Sequence, residues 1–339
     1  MHAFSYARPE NALAAVQAFA AAGPGARYIA GGTTLYDLMK LGIEKPEHLV
    51  DVTAVPGLDT IETAGGHLRF GALAPMSAVA ANETVHREYP VLAESLARAA
   101  SQQLRNMATV GGNLLQRTRC IYFRNGAGST STGNIYPCNK REPGTGCAAI
   151  GGQDRGQAVL GQSAACTAVS PGDWPVALVA LDAHVEVLGA GGARSIPIAA
   201  LYRLPGDTPD LEFTLQPGEL ITAIVVPKTP IGRLSTYYKV CDRESLAFAL
   251  TSAAVAVELD GGVVKQARIA LGGVATRPWR ATAAEVSLTG QKLTPETALA
   301  AGRAAFAGAK AGRDNGFKID LGARTVADAL ILAAGRTSA

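Results

Sequence analysis

The sequence predicts an α+β protein of two or three domains. Its 339 residues exceed the length that one hydrophobic core usually serves. Helical and strand patterns alternate in the first two-thirds of the chain, whereas three strand patterns precede the last helices. Because strands followed by helices are typical of α+β architecture, we expect a separate α+β domain at the C-terminal end.

The first hundred residues give the clearest helical pattern. Leu13, Val16 and Phe19 recur at helical spacing within residues 9–22, and Gly23 is suited to end that helix. Further helices are expected at 35–41 and at 76–99 with a break near Pro90, and strands at 27–30, 48–52 and 67–73.

Regular patterns resume after residue 173. The apolar run 176–188 should end in a strand at 183–188, and another strand is expected at 219–226. Residues 228–233, which include a proline and a glycine, are predicted to link two domains. Beyond this linker we expect strands at 235–240, 248–259 and 263–274, then helices at 279–288, 295–307 and 323–334.

Two turns in this C-terminal part have strong local signals. Asp260-Gly261-Gly262 lies between two strand candidates and predicts a hairpin. Thr294-Pro295 places a capping threonine before a proline at the first helical position.

Composition and charge argue against several classes of protein. The chain is 48% hydrophobic and 17% charged, which is typical of a folded soluble protein, and its net charge of +3 is too small to indicate nucleic-acid binding. No apolar stretch reaches the ~20 residues that span a bilayer. The beginning, MHAFSYARPENALAAV, lacks a basic region followed by an apolar run, so we expect no signal peptide.

Two glycine pairs stand beside small polar side chains. Thr33 and Thr34 follow Gly31-Gly32, while Thr109 and Asn113 flank Gly111-Gly112. Such segments allow backbone N–H groups to approach a phosphate, although ordinary turns share the pattern. The usual nucleotide fingerprints are absent, so a bound nucleotide would be held by another kind of fold.

Four of the five cysteines lie in residues 116–172, which we call the cysteine loop. They are Cys120, Cys138, Cys147 and Cys166, among polar stretches such as GAGSTSTGN at 126–134. A loop of this length needs something to order it, and without an export signal metal ligands are favoured over disulfides. Its six basic and two acidic residues give +4, which would offset the charge of four thiolates.

Several interpretations of this loop stay open. Iron–sulfur and zinc sites both accept four thiolates, and a flexible basic loop with incidental thiols is also possible. Arg117, Tyr122 and Arg124 interleave bases with aromatics, but no nucleic-acid motif accompanies them. Cys241 lies apart and is expected to be a buried core thiol.

The chain resembles the flavoprotein (medium) subunits of molybdenum hydroxylases, the family of xanthine and carbon monoxide dehydrogenases. The resemblance begins at IAGGTTL, residues 29–35, and RNMATVGGN, residues 105–113. It continues through Asp173-x-Pro175, Tyr238-Lys239-Val240 with Arg243, and Leu271-Gly-Gly-Val274 with Arg277-Pro278. These motifs follow one another over nearly the whole chain.

This resemblance implies a fold and a flavin site. The fold is a vanillyl-alcohol-oxidase-type FAD-binding domain of two α/β subdomains (about 1–55 and 56–227), followed by a small α+β domain (233–339) with a three-stranded antiparallel sheet and helices. FAD would lie between the subdomains, with its pyrophosphate on the first glycine segment. The implied FAD residues are Ile29, Ala30, Gly31, Gly32, Thr33, Thr34, Leu35, Thr109, Gly112, Asn113, Asp173 (ribose–phosphate region), and Leu220 and Lys239 (isoalloxazine).

The cysteine loop is similar to that of the FAD subunits of bacterial periplasmic aldehyde oxidoreductases, especially at CNKREPGTGC, residues 138–147. Those subunits bind a [4Fe-4S] cluster, so the resemblance implies Cys120, Cys138, Cys147 and Cys166 as ligands. Cys166 takes the fourth role because no cysteine lies near position 155.

The implied function is electron transfer within a heterotrimer. A molybdenum-cofactor large subunit would oxidise an aldehyde to a carboxylic acid, and a [2Fe-2S] small subunit would pass electrons to FAD and then to an external acceptor. No residue of this chain would be catalytic for the aldehyde. Alternatives are a related hydroxylase, a benzoyl-CoA-type reductase, or a zinc-loop flavoprotein. We expect no nucleic-acid or membrane partner, and a periplasmic location through co-export with a signal-bearing subunit, or otherwise a cytoplasmic one.

Overall fold

A computed structural model describes residues 2–125, 136–244 and 247–336. Three β-sheets organise these residues, one in each of three successive parts of the chain. The first sheet has three strands, the second has five and the third has four.

The first sheet is parallel and has the order β1-β3-β2. Its strands are β1 Ser5–Ala7, β2 Ala26–Ile29 and β3 His48–Asp51, and its helices are α1 Ala12–Ala22 and α2 Leu35–Lys40. Asn11 caps α1, since its side chain accepts a hydrogen bond from the Ala14 N–H, and Gly23 ends the helix at φ 78°. The pattern within 9–22 is therefore confirmed, with the helix starting after the capping asparagine.

The second sheet is antiparallel and has the order β4-β5-β8-β6-β7. Its strands are β4 Ile61–Glu62, β5 His67–Gly71, β6 His184–Gly189, β7 Gly192–Pro197 and β8 Leu220–Pro227. Its helices are α3 Met76–Ala81, α4 Glu83–Glu88, α5 Pro90–Ala97, α6 Gln102–Met107, α7 Val110–Leu114, α8 Ile121–Arg124, α9 Trp174–Ala180 and α10 Ile198–Leu201. The helical pattern expected over 76–99 is three helices, and Pro90 starts the third because proline fits a first helical turn.

The third sheet is antiparallel, with the order β12-β11-β10-β9. Its strands are β9 Ser235–Val240, β10 Thr251–Asp260, β11 Val263–Gly272 and β12 Trp279–Arg280, and its helices are α11 Thr282–Leu288, α12 Pro295–Ala305 and α13 Phe317–Ala334. The expected three strands thus gain a fourth. Trp279 and Arg280, expected to begin a helix, pair instead with Leu271 and Ala270 of β11.

Both turn predictions for this part of the chain are confirmed. Gly261 and Gly262 connect β10 to β11 with φ of 56° and 85°, the left-handed values that a two-residue hairpin turn requires. Thr294 and Thr297 form a reciprocal capping box in front of α12, with Pro295 at the first position.

The segment expected as a linker is packed against the protein. It contains a single 3₁₀ turn, Pro230–Gly232, and a Cβ added to Gly232 would lie 2.4 Å from Tyr89 Cε1. Arg233 forms an ion pair with Glu88. One large cluster of buried apolar side chains contains both Trp174, from helix α9, and Ala254, from strand β10 of the third sheet. The second and third sheets therefore share a core.

Within the described part of the chain, no helix combines the length and apolar character needed to cross a bilayer.

Candidate functional site

A cleft with a volume of about 240 Å³ lies where the first sheet meets the second subdomain. The cleft is lined by all of the predicted FAD residues except Asp173 and Lys239. Those lining it are Ile29, Ala30, Gly31, Gly32, Thr33, Thr34, Leu35, Thr109, Gly112, Asn113 and Leu220. The fold therefore brings the two glycine segments and the start of β8 together on one surface.

The segment between β2 and α2 leads directly into a helix. Gly32 has φ 70°, a left-handed conformation that suits glycine, and the Thr34 side chain makes no capping bond to α2. Within the described residues, the N–H groups of Gly31 to Thr34 donate to no protein acceptor. Several unpaired N–H groups before a helix suit a phosphate.

Gly31 is required by close contact with the second glycine segment. A Cβ at this position would lie 1.8 Å from the carbonyl oxygen of Met107 and 3.2 Å from Ala108 Cα. The backbones of the two segments therefore touch, which fixes the width of the cleft.

The second glycine pair lies inside helix α7 rather than in a turn. The Gly111 N–H donates to the Ala72 carbonyl (2.9 Å), and the Gly112 N–H donates to the Thr109 hydroxyl (3.2 Å). These amides are already paired, so the expectation that both glycine pairs offer backbone N–H groups holds only for the first. The Thr109 hydroxyl accepts this hydrogen bond and can still donate one to a ligand.

Asn113 supplies an acceptor on this side of the cleft. It is buried, its Oδ1 receives no hydrogen bond, and its Nδ2 donates to Met76 Sδ at 3.4 Å. A buried unpaired oxygen is costly unless a ligand completes it. Unpaired N–H groups on one wall and an unpaired oxygen on the other fit FAD, which carries both phosphates and hydroxyl groups.

Sequence reasoning missed the charged part of the cleft wall. Arg27, Glu44 and Arg117 also line it, and Glu44 pairs with Arg27 at 3.4 Å and with Arg117 at 2.6 Å. Glu44 and Arg117 are 73 residues apart, so no local pattern connects them.

Asp173 and Lys239 lie elsewhere and bind each other. Their side chains, 7% and 3% exposed, form an ion pair at 2.9 Å, and the Tyr237 hydroxyl donates to Asp173 at 2.6 Å. Burial raises the pKa of Asp173, while Lys239 and Tyr237 oppose that rise. This buried network joins the start of α9 to β9, and the structure does not bring either residue to the cleft with the glycine segments.

The cysteine loop contains more buried apolar material than the sequence suggested. Phe123, Val159 and Leu160 are almost completely buried, and the Val159 and Leu160 amides both donate to the Val274 carbonyl. Asp154 accepts hydrogen bonds from the backbone N–H groups of residues 313 and 314. Contacts with the C-terminal domain thus help to order the loop, whereas its GAGSTSTGN stretch, 126–134, lies outside the described residues.

The four predicted ligands occupy one region of the loop. Cys138 and Cys147 face each other in an antiparallel bridge. Burial raises the pKa of the Cys166 thiol to about 11, with Lys140 opposing that rise and the nearby Cys147 and Cys120 adding to it. Among the described residues, no three metal-binding side chains converge closely enough to hold a metal ion.

Hydrogen bonds already point at two of these sulfurs. Cys120 Sγ accepts from Gln157 Nε2 at 3.4 Å. Cys166 Sγ accepts from the Ala168 N–H at 3.5 Å. Donors of this kind stabilise a thiolate.

The basic residues of the loop are largely paired. Arg117 contacts Glu44 and Glu212; Arg119 and Arg124 contact Asp37; Lys140 contacts Glu212; Arg155 contacts Asp242. Carboxylates from other elements therefore neutralise much of the +4, so it is less available to offset four thiolates than the sequence implied.

Cys241 is half-buried rather than a core thiol. It follows the last residue of β9 and lines an open cavity together with Arg98 and Tyr238. Strand β9 ends before it, so the residue leaves the packed sheet.

Known proteins match the chain over nearly its full length. Residues 2–229 match the family described as the FAD binding domain in molybdopterin dehydrogenase, and residues 236–335 match the CO dehydrogenase flavoprotein C-terminal domain. The chain is 48% identical to the aldehyde oxidoreductase FAD-binding subunit PaoB of Escherichia coli K12, covering 97% of this chain and 98% of that one. It is 29% identical to the carbon monoxide dehydrogenase medium chain of Afipia carboxidovorans, covering 86% and 81%.

A solved structure confirms the fold class. The carbon monoxide dehydrogenase of Hydrogenophaga pseudoflava contains a chain that superimposes with a TM-score of 0.77 at 26% identity, covering 99% of each chain. The predicted architecture, an FAD-binding domain followed by a small domain with an antiparallel sheet, is thereby confirmed. The chain belongs to the FAD-binding medium subunits of the xanthine dehydrogenase and carbon monoxide dehydrogenase family, and FAD is the cofactor of its N-terminal domain.

Proposed function

We propose that this chain is the FAD subunit of a molybdenum-dependent aldehyde oxidoreductase. The observation that carries the proposal is the 48% identity to PaoB, which extends over 97% of the chain. The other relatives quoted share less than a third of their residues with it. Its partners would be a [2Fe-2S] small subunit and a molybdenum-cofactor large subunit, on which the aldehyde would be oxidised.

The role of this chain is to hold FAD between those partners and an external acceptor. FAD supplies the acceptance and release of electrons when bound. The amides of Gly31 to Thr34 would donate to its pyrophosphate, Thr109 would donate from the opposite wall, and Asn113 Oδ1 would accept from a hydroxyl. Leu220 would supply apolar contact from the start of β8.

The cysteine loop extends the proposal to a [4Fe-4S] cluster on Cys120, Cys138, Cys147 and Cys166. Its four thiolates would each bind a different iron, so they need not converge as the ligands of one ion do. Asn139 supports the choice of Cys166. Its side chain donates to the Ala165 carbonyl at 3.1 Å and accepts from the Gly146 N–H at 2.7 Å. The residue after Cys138 is thus tied to the residues before Cys147 and before Cys166.

The test is purification of the chain co-expressed with its two partner subunits. We expect bound FAD, iron beyond the content of the [2Fe-2S] subunit, and bleaching of the flavin absorbance when an aldehyde is added. Flavin without the additional iron would overturn the cluster, and zinc in its place would support the zinc-loop alternative. Flavin bleached only by an N-heterocyclic substrate would favour a related hydroxylase, whereas reduced flavin that an aromatic thioester reoxidises would favour a benzoyl-CoA-type reductase.

Two cysteine variants test the ligand set. Cys166→Ser should lose the additional iron, whereas Cys241→Ser should keep it because Cys241 lies beside a different cavity. Iron loss from Cys241→Ser alone would show that the fourth ligand was assigned wrongly.

The proposed location is the periplasm, reached by export of the folded complex on a signal carried by a partner subunit. The proposal rests on the resemblance of the cysteine loop to that of periplasmic aldehyde oxidoreductases. Cell fractionation with and without the partner subunits tests it. Recovery of the complete complex from the cytoplasm alone would refute it.

A further inference from the structure

Arg117, the second residue of the cysteine loop, lies in the wall of the FAD cleft. Its side chain is 18% exposed and lines the cleft. It is bonded to two carboxylates from different parts of the chain, since Nη1 lies 2.6 Å from Glu44 Oε1 and Nε lies 2.6 Å from Glu212 Oε1. Burial lowers its pKa, but Glu212 and Glu44 outweigh burial and raise it, so the guanidinium stays charged.

The same guanidinium holds two parts of the cysteine loop. It stacks on the Phe123 ring at 4.6 Å, and its Nη2 donates to the Lys140 carbonyl at 3.3 Å. Phe123 follows Cys120 by three residues, and Lys140 follows Cys138 by two. Arg117 thus touches the backbone or side chain beside two of the four proposed ligands.

Lys140 extends these contacts toward a third ligand. Its Nζ lies 3.2 Å from Glu212 Oε2 and donates to the Pro209 carbonyl at 2.8 Å. Lys140 and Glu212 also line a small cavity together with Cys166. A continuous set of ion pairs therefore runs from the cleft wall to the region of the thiols.

On the cleft side, Arg117 acts through Glu44. The Glu44 N–H donates to the Leu38 carbonyl at 3.3 Å, and Leu38 is a buried residue of α2. Helix α2 begins directly after the glycine segment whose amides face no protein acceptor. Leu38 and Glu44 both line the cleft, so movement of Glu44 would change the shape of the cleft wall at the C-terminal end of α2.

We propose that Arg117 is a positioning residue that couples the metal state of the cysteine loop to the affinity for FAD. The coupling rests on the proposed function, because it needs a cluster in the loop. With the cluster present, Phe123 and Lys140 hold the guanidinium against Glu44, and the charged wall of the FAD cleft keeps its shape. Loss of the cluster releases these residues and weakens FAD binding, although no cysteine contacts the cleft.

A planar guanidinium suits this position better than an amine. Arginine offers five N–H donors in a fixed fork, so it can bind two carboxylates and a carbonyl while stacking on an aromatic ring. Lysine keeps the charge but lacks the fork. If Arg117→Lys removes the coupling, the coupling therefore depends on the geometry of the guanidinium and not on its charge alone.

The test measures FAD affinity in the assembled complex for the wild type, Cys166→Ser, Arg117→Lys and the double variant. FAD is removed and then titrated back while flavin fluorescence and visible circular dichroism are recorded. In the wild-type background, Cys166→Ser should weaken FAD binding at least fivefold, the lower end of usual coupling between sites. In the Arg117→Lys background the same substitution should change the affinity less than twofold.

Arg280→Lys is the matched control. Arg280 is 17% exposed and also pairs with two carboxylates from different domains, Asp182 and Glu285, but it does not line the cleft. Its variant should leave the fivefold effect of Cys166→Ser intact and should leave the flavin dichroism unchanged. If Arg280→Lys also abolished the fivefold effect of Cys166→Ser on FAD affinity, the coupling would not be specific to Arg117.

The iron content of the same samples separates the two proposals. One outcome would overturn the coupling and leave the cluster in place. In it, the wild-type complex holds the additional iron, and Cys166→Ser weakens FAD binding equally in the wild-type and Arg117→Lys backgrounds. Wild-type complex that binds FAD without the additional iron would overturn the cluster, and with it the coupling.

Discussion

Substituting Gly31 by alanine tests whether contact between the two glycine segments builds the FAD cleft. The added Cβ would lie 1.8 Å from the Met107 carbonyl oxygen and 2.7 Å from its carbonyl carbon. Carbon–oxygen contacts in proteins lie at about 3.3 Å, so the segments must separate by roughly 1.5 Å. Both contacting groups are backbone, so no flexible side chain absorbs the change.

This separation has separate effects on stability and on FAD binding. Overpacking of this kind costs about 1–3 kcal/mol, which lowers the melting temperature by several degrees. The amides of Gly31 and its neighbours would also leave the positions from which they reach the pyrophosphate. A hydrogen bond to a charged group contributes about 1.5–3 kcal/mol, so loss of one such bond weakens FAD binding about tenfold to a hundredfold.

The assay is FAD titration of the flavin-free complex, with melting temperature measured on the same samples. Gly66→Ala is the control, because a Cβ at Gly66 meets nothing within 4 Å and its φ is not left-handed. Gly66→Ala should bind FAD as the wild type does. If Gly31→Ala also binds FAD with wild-type affinity, the contact between the segments does not set the geometry of the site.

Three further predictions concern stability. Burial lowers the pKa of Lys318 to about 8, below its unfolded value near 10.5, so the unfolded chain binds more protons between these two values. The free energy of unfolding, measured with urea, should therefore rise with pH across this window by up to about 3 kcal/mol in the wild type. Lys318→Met should flatten that rise. Gly322→Ala would place a Cβ 2.1 Å from Phe306 Cζ, so it should lower the melting temperature by several degrees. Asp173→Asn leaves the Lys239 charge buried without its partner and should lower the free energy of unfolding in urea by about 3–5 kcal/mol. An unchanged urea midpoint together with loss of FAD would show instead that Asp173 serves FAD binding.

Local chemistry explains which elements could be predicted from the sequence. The α1 helix, the β10–β11 hairpin and the start of α12 each carry their signal within a few neighbouring residues. The short strand β1 has no such signal. All three of its residues are exposed, and it forms because it pairs with β3, more than forty residues away. Strand β12 is likewise defined by its partner β11, so a helix was expected where it lies.

The same distinction applies to the site. Glycine and threonine at 31–34 form a contiguous segment, which the sequence can reveal. The ion pairs of Arg117 join residues 73 and 95 positions away, and their geometry depends on how the subdomains meet. The charged wall of the cleft is therefore a tertiary feature, which the sequence around Arg117 does not predict.

Asp173 and Lys239, which were predicted to bind FAD, also form a contact that joins the two domains. Asp173 precedes α9 in the FAD-binding domain, and Lys239 lies in β9 of the C-terminal domain. Their ion pair, with Tyr237 bound to the same carboxylate and Lys239 bound to the Arg98 carbonyl, fixes β9 against the end of α5. A buried pair of this kind tolerates little displacement, because removal of either charge leaves the other desolvated. The pair therefore sets how the C-terminal domain lies against the FAD-binding domain, and that placement in turn orders the cysteine loop through Val274 and the N–H groups before α13.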